Sequence, residues 1–152
     1  MVKRTFVLAL LFTGNGKEVV LMRRTRPAWQ AGRVNALGGA IRSGESAPVA
    51  ARREVREECG VDVAEWTEVL VWEDAEYRMH VLSTMSELAR GARTLEDQEI
   101  FLVDVGALPA NVIENRRWLV PTAPDRHVAF PVDARTAGAE GRGQPRRARS
   151  GS

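Results

Sequence analysis

The sequence predicts an α/β fold in one domain, and three observations carry that reading. Five apolar, β-favouring segments recur along the chain, one well-signposted amphipathic helix interrupts them, and 152 residues fit a single ordinary domain. Hydrophobic residues at 44% and charged residues at 28% suit a chain able to bury a core.

Arg4 to Thr13 is apolar and β-favouring, and Thr13-Gly14-Asn15-Gly16 is a hairpin signal, so Glu18 to Arg23 is expected to return as the second strand. Residues 25–36 contain Pro27 and Gly32 without a clear period and read as a loop, and Gly38 to Ile41 leads into a second loop, Arg42 to Glu45. Ser46 then opens the clearest helix. It is a natural N-cap, Pro48 is tolerated in a first turn, and Gly60 is placed to stop the helix. Ala51, Val55 and Cys59 recur at four-residue spacing and form its apolar face. Val61 to Trp72, Tyr77 to Thr84 and Glu99 to Val103 read as three further strands, and residues 110–127 as a helix that Pro121 and Pro124 must kink or end.

The net charge of +2 and a pI near 9.2 raise nucleic-acid binding until the charges are placed. Residues 133–152 hold five arginines against Asp133 and Glu140, whereas residues 1–132 carry 17 basic and 18 acidic groups. The basicity belongs to the last 20 residues, which have no apolar side chain larger than alanine and read as a disordered, solvated tail. Nucleic acid is therefore not the expected partner. No apolar run is long enough to span a bilayer, so no membrane role is expected. Lys3-Arg4 before Phe6–Phe12 superficially resembles a signal peptide, but Asn15-Gly16-Lys17-Glu18 follow where small residues should be, and a buried first strand is the better reading. Cys59 is the sole cysteine, which excludes an intrachain disulfide and points to a reducing cytoplasm.

On the Ser46 helix Glu54, Glu57 and Glu58 stand at i, i+3 and i+4 and project from one face. Like charges at this spacing repel, so folding alone does not ask for them. A hard divalent cation does: magnesium takes oxygen ligands and shares itself between carboxylates and substrate phosphates. Arg53 and Arg56, interleaved, can orient individual carboxylates.

The segment from Gly39 through Glu45, Arg53-Glu54-Val55, Glu57-Glu58 and Gly60-Val61 resembles the Nudix box of the MutT/Nudix hydrolases, matching all nine specified positions without a gap. The resemblance implies an α/β/α sandwich on a mixed sheet, with residues 1–132 as the Nudix domain. It also implies hydrolysis of a nucleoside diphosphate linked to another group, with Mg²⁺ or Mn²⁺ bound. Glu54, Glu57 and Glu58 then look like metal ligands, with the Gly38 carbonyl as a further one. Arg53 resembles the residue that orients the catalytic glutamate, and Glu45 its ion-pair partner. The general base is either Glu54 or a carboxylate of the loop before the last strand, where Glu96, Asp97 and Glu99 stand.

Gly32-Arg-Val-Asn35-Ala-Leu-Gly38-Gly39 resembles a stretch of Nudix enzymes that sanitise oxidised purine nucleotides, where the asparagine contacts the base. An amide can donate and accept at once beside a purine edge. Asn115-Arg-Arg-Trp118-Leu resembles the late segment of the same relatives, which makes Trp118 a candidate for stacking on the base. Trp29 is the other candidate ring. Arg23 and Arg24 end the second strand near where phosphates would lie, and Arg23 matches a basic position in relatives. The expected substrate is an oxidised purine triphosphate such as 8-oxo-dGTP. Tyr77, 16 residues after Val61, resembles the tyrosine associated with dinucleoside polyphosphate hydrolases, and the lack of a proline in that region counts against the usual ADP-ribose subgroup; hydrolysis of one or the other is the alternative within the family. A non-catalytic nucleotide-binding regulator is the alternative of a different kind. A monomer or a homodimer is expected.

Overall fold

The computed structural model describes residues 3–113, 116–124 and 132–135, with the side chains of residues 118 and 132–135 excepted. Its strands are β1 (Arg4–Phe12), β2 (Glu18–Arg23), β3 (Val34–Ala40), β4 (Thr67–Glu73), β5 (Tyr77–Met85), β6 (Ile100–Asp104) and β7 (Val132–Arg135); its helices are α1 (Ala47–Cys59) and α2 (Arg116–Thr122). One mixed sheet holds the strands in the order β6-β2-β3-β1-β5-β4-β7, with β1–β5 and β4–β7 parallel and the other neighbours antiparallel.

β1 lies at the centre, and alternation sends its side chains into two cores. Val7, Ala9 and Leu11 face α1 with Ala51, Val55 and Cys59, while Leu8, Leu10 and Phe12 face the α2 side with Leu119 and Val120. Burial on both faces explains why the first strand is an unbroken apolar run. The chain is thus the expected α/β/α sandwich on a mixed sheet. The Asn-Gly turn forms as expected, with Gly16 at φ 71° and its N–H donating to the Thr13 carbonyl at 2.8 Å.

Four expectations change. Residues 34–36, read as loop, begin β3, which pairs with β1 on one side and β2 on the other. Its Asn-Ala-Leu-Gly-Gly sequence has weak strand propensity, and burial between two neighbours overrides it. The strand expected from Val61 starts only at Thr67. The helix expected over 110–127 is shorter: Val112 bridges to Val34 instead, and α2 runs from Arg116 to Thr122. Residues 114–115 and 125–127 of that span lie outside the described residues. Asp133–Arg135, assigned to the tail, belong to β7, paired with Val71–Glu73 of β4. Backbone ladder bonds, indifferent to side-chain size, account for a strand that composition does not announce. Residues 136–152 lie outside the described residues.

Candidate active site

The site is built where β3 turns into α1. Ser46 caps α1 by accepting from the Val49 N–H at 3.3 Å, and Gly60, at φ 77°, ends it with its N–H on the Arg56 carbonyl. The helix lies so close to β3 that a Cβ on Gly39 would stand 2.5 Å from Glu54 Oε1, and β1 lies so close that one on Gly38 would collide with the Val7 carbonyl oxygen. Gly38, at φ 149°, also needs a backbone region that side-chain-bearing residues rarely enter. Gly39 therefore lets the Glu54 carboxylate approach the backbone, and Gly38 lets β3 lie close against β1.

Arg53 organises the junction with all five of its N–H donors. Nε and Nη2 form a fork onto both Glu45 oxygens at 2.8 Å each. Nη2 also reaches the Ala40 carbonyl at 3.0 Å, and Nη1 holds Glu54 Oε1 at 2.8 Å and Glu57 Oε2 at 3.3 Å. Glu45 closes its own loop by accepting from the Arg42 N–H at 3.1 Å. The Arg53 guanidinium, aided by that Arg42 N–H, outweighs the partial burial of Glu45 and holds its carboxyl down at about 2.

Glu58 is the opposite case. Burial pushes its carboxyl up to about 8; the Gly38 N–H, donating to Oε1 at 3.0 Å, and the charge of Arg24 pull back, while the neighbouring Glu54 carboxylate pushes further up. Glu58 Oε2 is buried without a hydrogen-bond partner. Glu57 departs from the other two: it is half-exposed and faces Arg53 and, at 3.7 Å, Arg42. Among the described residues no three acidic, His or Cys side chains stand together as a finished metal cluster. The pair that does converge, Glu54 with Glu58 over Gly38-Gly39, offers hard oxygen donors, one of them buried with no donor to satisfy it. That fits a divalent cation.

The remaining candidates scatter. Glu96, Asp97 and Glu99 are all exposed. Arg23 is exposed with its guanidinium 6.0 Å from the Phe101 ring centroid, on the sheet face away from α1. Arg24, its neighbour, is the cation whose charge acts on Glu58. The alternation of β2 holds the signal, since Arg24 shares a face with Val20 and Met22 under α1. Asn35 is buried, and its Oδ1 accepts from the Ala36 N–H and from Arg116 Nε, both at 2.8 Å. The amide acceptor is thus occupied, and Nδ2, which donates to Gln30 Oε1 at 3.4 Å, has one N–H left to offer a ligand. Tyr77 packs against Phe6 with ring centroids 5.8 Å apart. Trp29 is 65% exposed, and Trp118 lies in α2 with its side chain outside the described residues.

The NUDIX domain model matches residues 2–126. The chain belongs to the Nudix family. Its fold agrees: a MutT structure from work on Aliivibrio salmonicida and Vibrio cholerae superimposes with a TM-score of 0.64 at 20% identity, covering 80% of this chain and 96% of that one. The MutT Nudix hydrolase of Burkholderia pseudomallei does so with 0.66 at 20% identity, covering 80% and 98%. No curated protein sequence matches this Nudix hydrolase significantly. No helix among its described residues is long and apolar enough to cross a membrane.

Proposed function

We propose that this Nudix hydrolase is a Mg²⁺-dependent pyrophosphohydrolase of purine nucleoside triphosphates, with 8-oxo-dGTP as its first substrate. The observation that carries the reading is the Glu54–Glu58 pair, seated on Gly38-Gly39 and clamped through Glu54 by Arg53. Glu54 and Glu58, with Glu57 at the rim and the Gly38 carbonyl, would hold the cation. When bound, Mg²⁺ or Mn²⁺ neutralises charge growing on the phosphate oxygens and lowers the pKa of water. Arg53 fixes Glu54 through Oε1, which leaves Oε2 to take a proton from water. Arg24, on the face under α1, is placed to attract the phosphates. Asn35 Nδ2 and the Trp118 ring are the base contacts this reading assigns, and the two structural relatives that share the fold carry the MutT name.

A phosphate-release screen tests the proposal across 8-oxo-dGTP, dGTP, a dinucleoside polyphosphate and ADP-ribose, each with and without Mg²⁺. Mg²⁺-dependent release with 8-oxo-dGTP favoured over dGTP is expected. Preference for the dinucleotide or for ADP-ribose overturns the substrate. Release that does not need a divalent cation overturns the metal assignment. No release from any compound would favour a nucleotide-binding regulator.

A further inference from the structure

Among the described residues, three buried side-chain polar atoms have no hydrogen-bond partner: Glu58 Oε2, Arg24 Nε and Gln98 Oε1. The sheet brings Arg24 and Gln98 together. β2 pairs with β6 so that Met22 faces Ile100, and the Arg23 N–H donates to the Glu99 carbonyl at 2.9 Å. Arg24 and Gln98 are the next residues on the two segments, each just outside its strand, with Gln98 in the bend that precedes β6. Directly opposed residues of antiparallel strands share a sheet face. Met22 and Ile100, two positions back, both pack in the core beneath α1. Arg24 follows that face, since its Nη1 reaches Met22 Sδ at 3.2 Å and its charge acts on Glu58.

A buried donor and a buried acceptor therefore stand at the same end of the β2–β6 ladder, and neither is bonded to the other. Buried groups left in this way cost stability unless a ligand satisfies them. The loop carrying Gln98 is anchored by the Ile100 N–H on Thr94 Oγ1 at 2.9 Å. Its three acids, Glu96, Asp97 and Glu99, are exposed, and Gln98 is turned inward between them.

We propose that Gln98 positions the attacking water of the hydrolase reaction through Oε1, so that this loop contributes a positioning amide and no general base. An amide oxygen accepts a hydrogen bond from water but does not take its proton. The water oxygen forms its bond to phosphorus as the phosphoanhydride P–O bond breaks; its proton passes to the Glu54 carboxylate, and the departing phosphate oxygen keeps the bonding pair. Arg24 Nε donates to an oxygen of the attacked phosphate. This role rests on hydrolysis at the α1 carboxylates and is indifferent to which base the substrate carries.

The test uses the full chain and the compound of the screen above that the wild type hydrolyses fastest. Gln98→Leu should lower kcat about 10- to 100-fold. KM, and the Kd for α,β-methylene-dGTP, should stay within about twofold of wild type, because the water is not part of ground-state binding. Tm should hold or rise, since an unpaired buried amide is replaced by an apolar group of similar size. Gln98→Glu, which keeps an acceptor oxygen, should recover at least about tenfold in kcat over the leucine variant. A kcat within threefold of wild type in Gln98→Leu would overturn the proposal. So would a loss expressed in KM and Kd, or a hundredfold kcat loss in Glu96→Gln, Asp97→Asn or Glu99→Gln. A wild type that turns over none of the compounds removes the hydrolase reading and this one together. Loss of the preference for oxidised guanine alone leaves it standing.

Discussion

Burial keeps the Glu58 carboxyl protonated up to about pH 8 in the metal-free protein, against an ordinary value of 4.5. Between those two values the folded chain holds a proton that the unfolded chain has released, so folding stability falls as pH rises through that window. Thermal melts in EDTA from pH 5 to 8 should show Tm declining, and Glu58→Gln should make the decline shallower while lowering turnover at least about a hundredfold. Parallel slopes in the two proteins would mean that Glu58 is not the group responsible. The adjacent glycines separate structure from chemistry in the same way. Gly38→Ala places a methyl against the Val7 backbone oxygen at φ 149° and should cost about 3 kcal/mol or more of stability, read from urea melts. Gly39→Ala meets the Glu54 carboxylate, which can swing aside. It should melt near the wild-type temperature and lose activity roughly 10- to 100-fold, because the carboxylate is displaced by about an ångström. Equal destabilisation by both would contradict the geometry.

At the scale of elements, the β3–α1 junction depends on the fork between Arg53 and Glu45. The depressed Glu45 carboxyl contributes stability that is fully present above its ordinary value of 4.5 and is lost as pH falls toward about 2. Glu45→Gln should therefore flatten part of the acid side of the Tm profile between pH 4.5 and 2.5. Part of the slope should persist, because Lys3 and Arg78 hold Glu73 down at about 2 as well. Arg53→Lys keeps the charge but has one ammonium where five directed N–H donors serve Glu45, Glu54, Glu57 and Ala40. It should lose kcat by about a hundredfold and also lower Tm at pH 7, because the fork onto Glu45 is lost. Activity within threefold of wild type would show that Glu54 does not need that clamp.

For the whole molecule, the question is where the sandwich ends. β7 covers β4 through a four-residue parallel ladder, so removal of residues 132–152 exposes a strand edge that removal of 136–152 leaves covered. The longer deletion should lower Tm by several degrees relative to the shorter one and should increase light scattering on heating. The shorter deletion removes a segment without large apolar side chains and should leave both Tm and kcat near wild type. Identical melts for the two deletions would show that β7 does not contribute to the sheet.

Local chemistry was enough to locate the helix of the active site. Ser46, Pro48 and Gly60 mark its ends, the spacing of Ala51, Val55 and Cys59 marks its buried face, and the box residues from Gly39 to Val61 identify the family. These signals lie within one helix and its flanking loop, where period and capping act over a few residues. The same holds for β1, β2 and their Asn-Gly turn. Other features depended on partners distant in the chain. β3 is a strand because β1 and β2 enclose it, and β7 because β4 offers an edge. Three glutamates share a helix face in the sequence, yet only Glu54 and Glu58 meet the backbone of β3, while Arg53 and Arg42 draw Glu57 outward. In the bend before β6, Gln98 buries its Oε1 while its acidic neighbours face solvent, and Arg116, 81 residues away in sequence, occupies the acceptor of Asn35. Sequence spacing determines which residues share a face; which of those faces meet is decided by packing, because burial and hydrogen bonding act between groups that the chain itself keeps far apart.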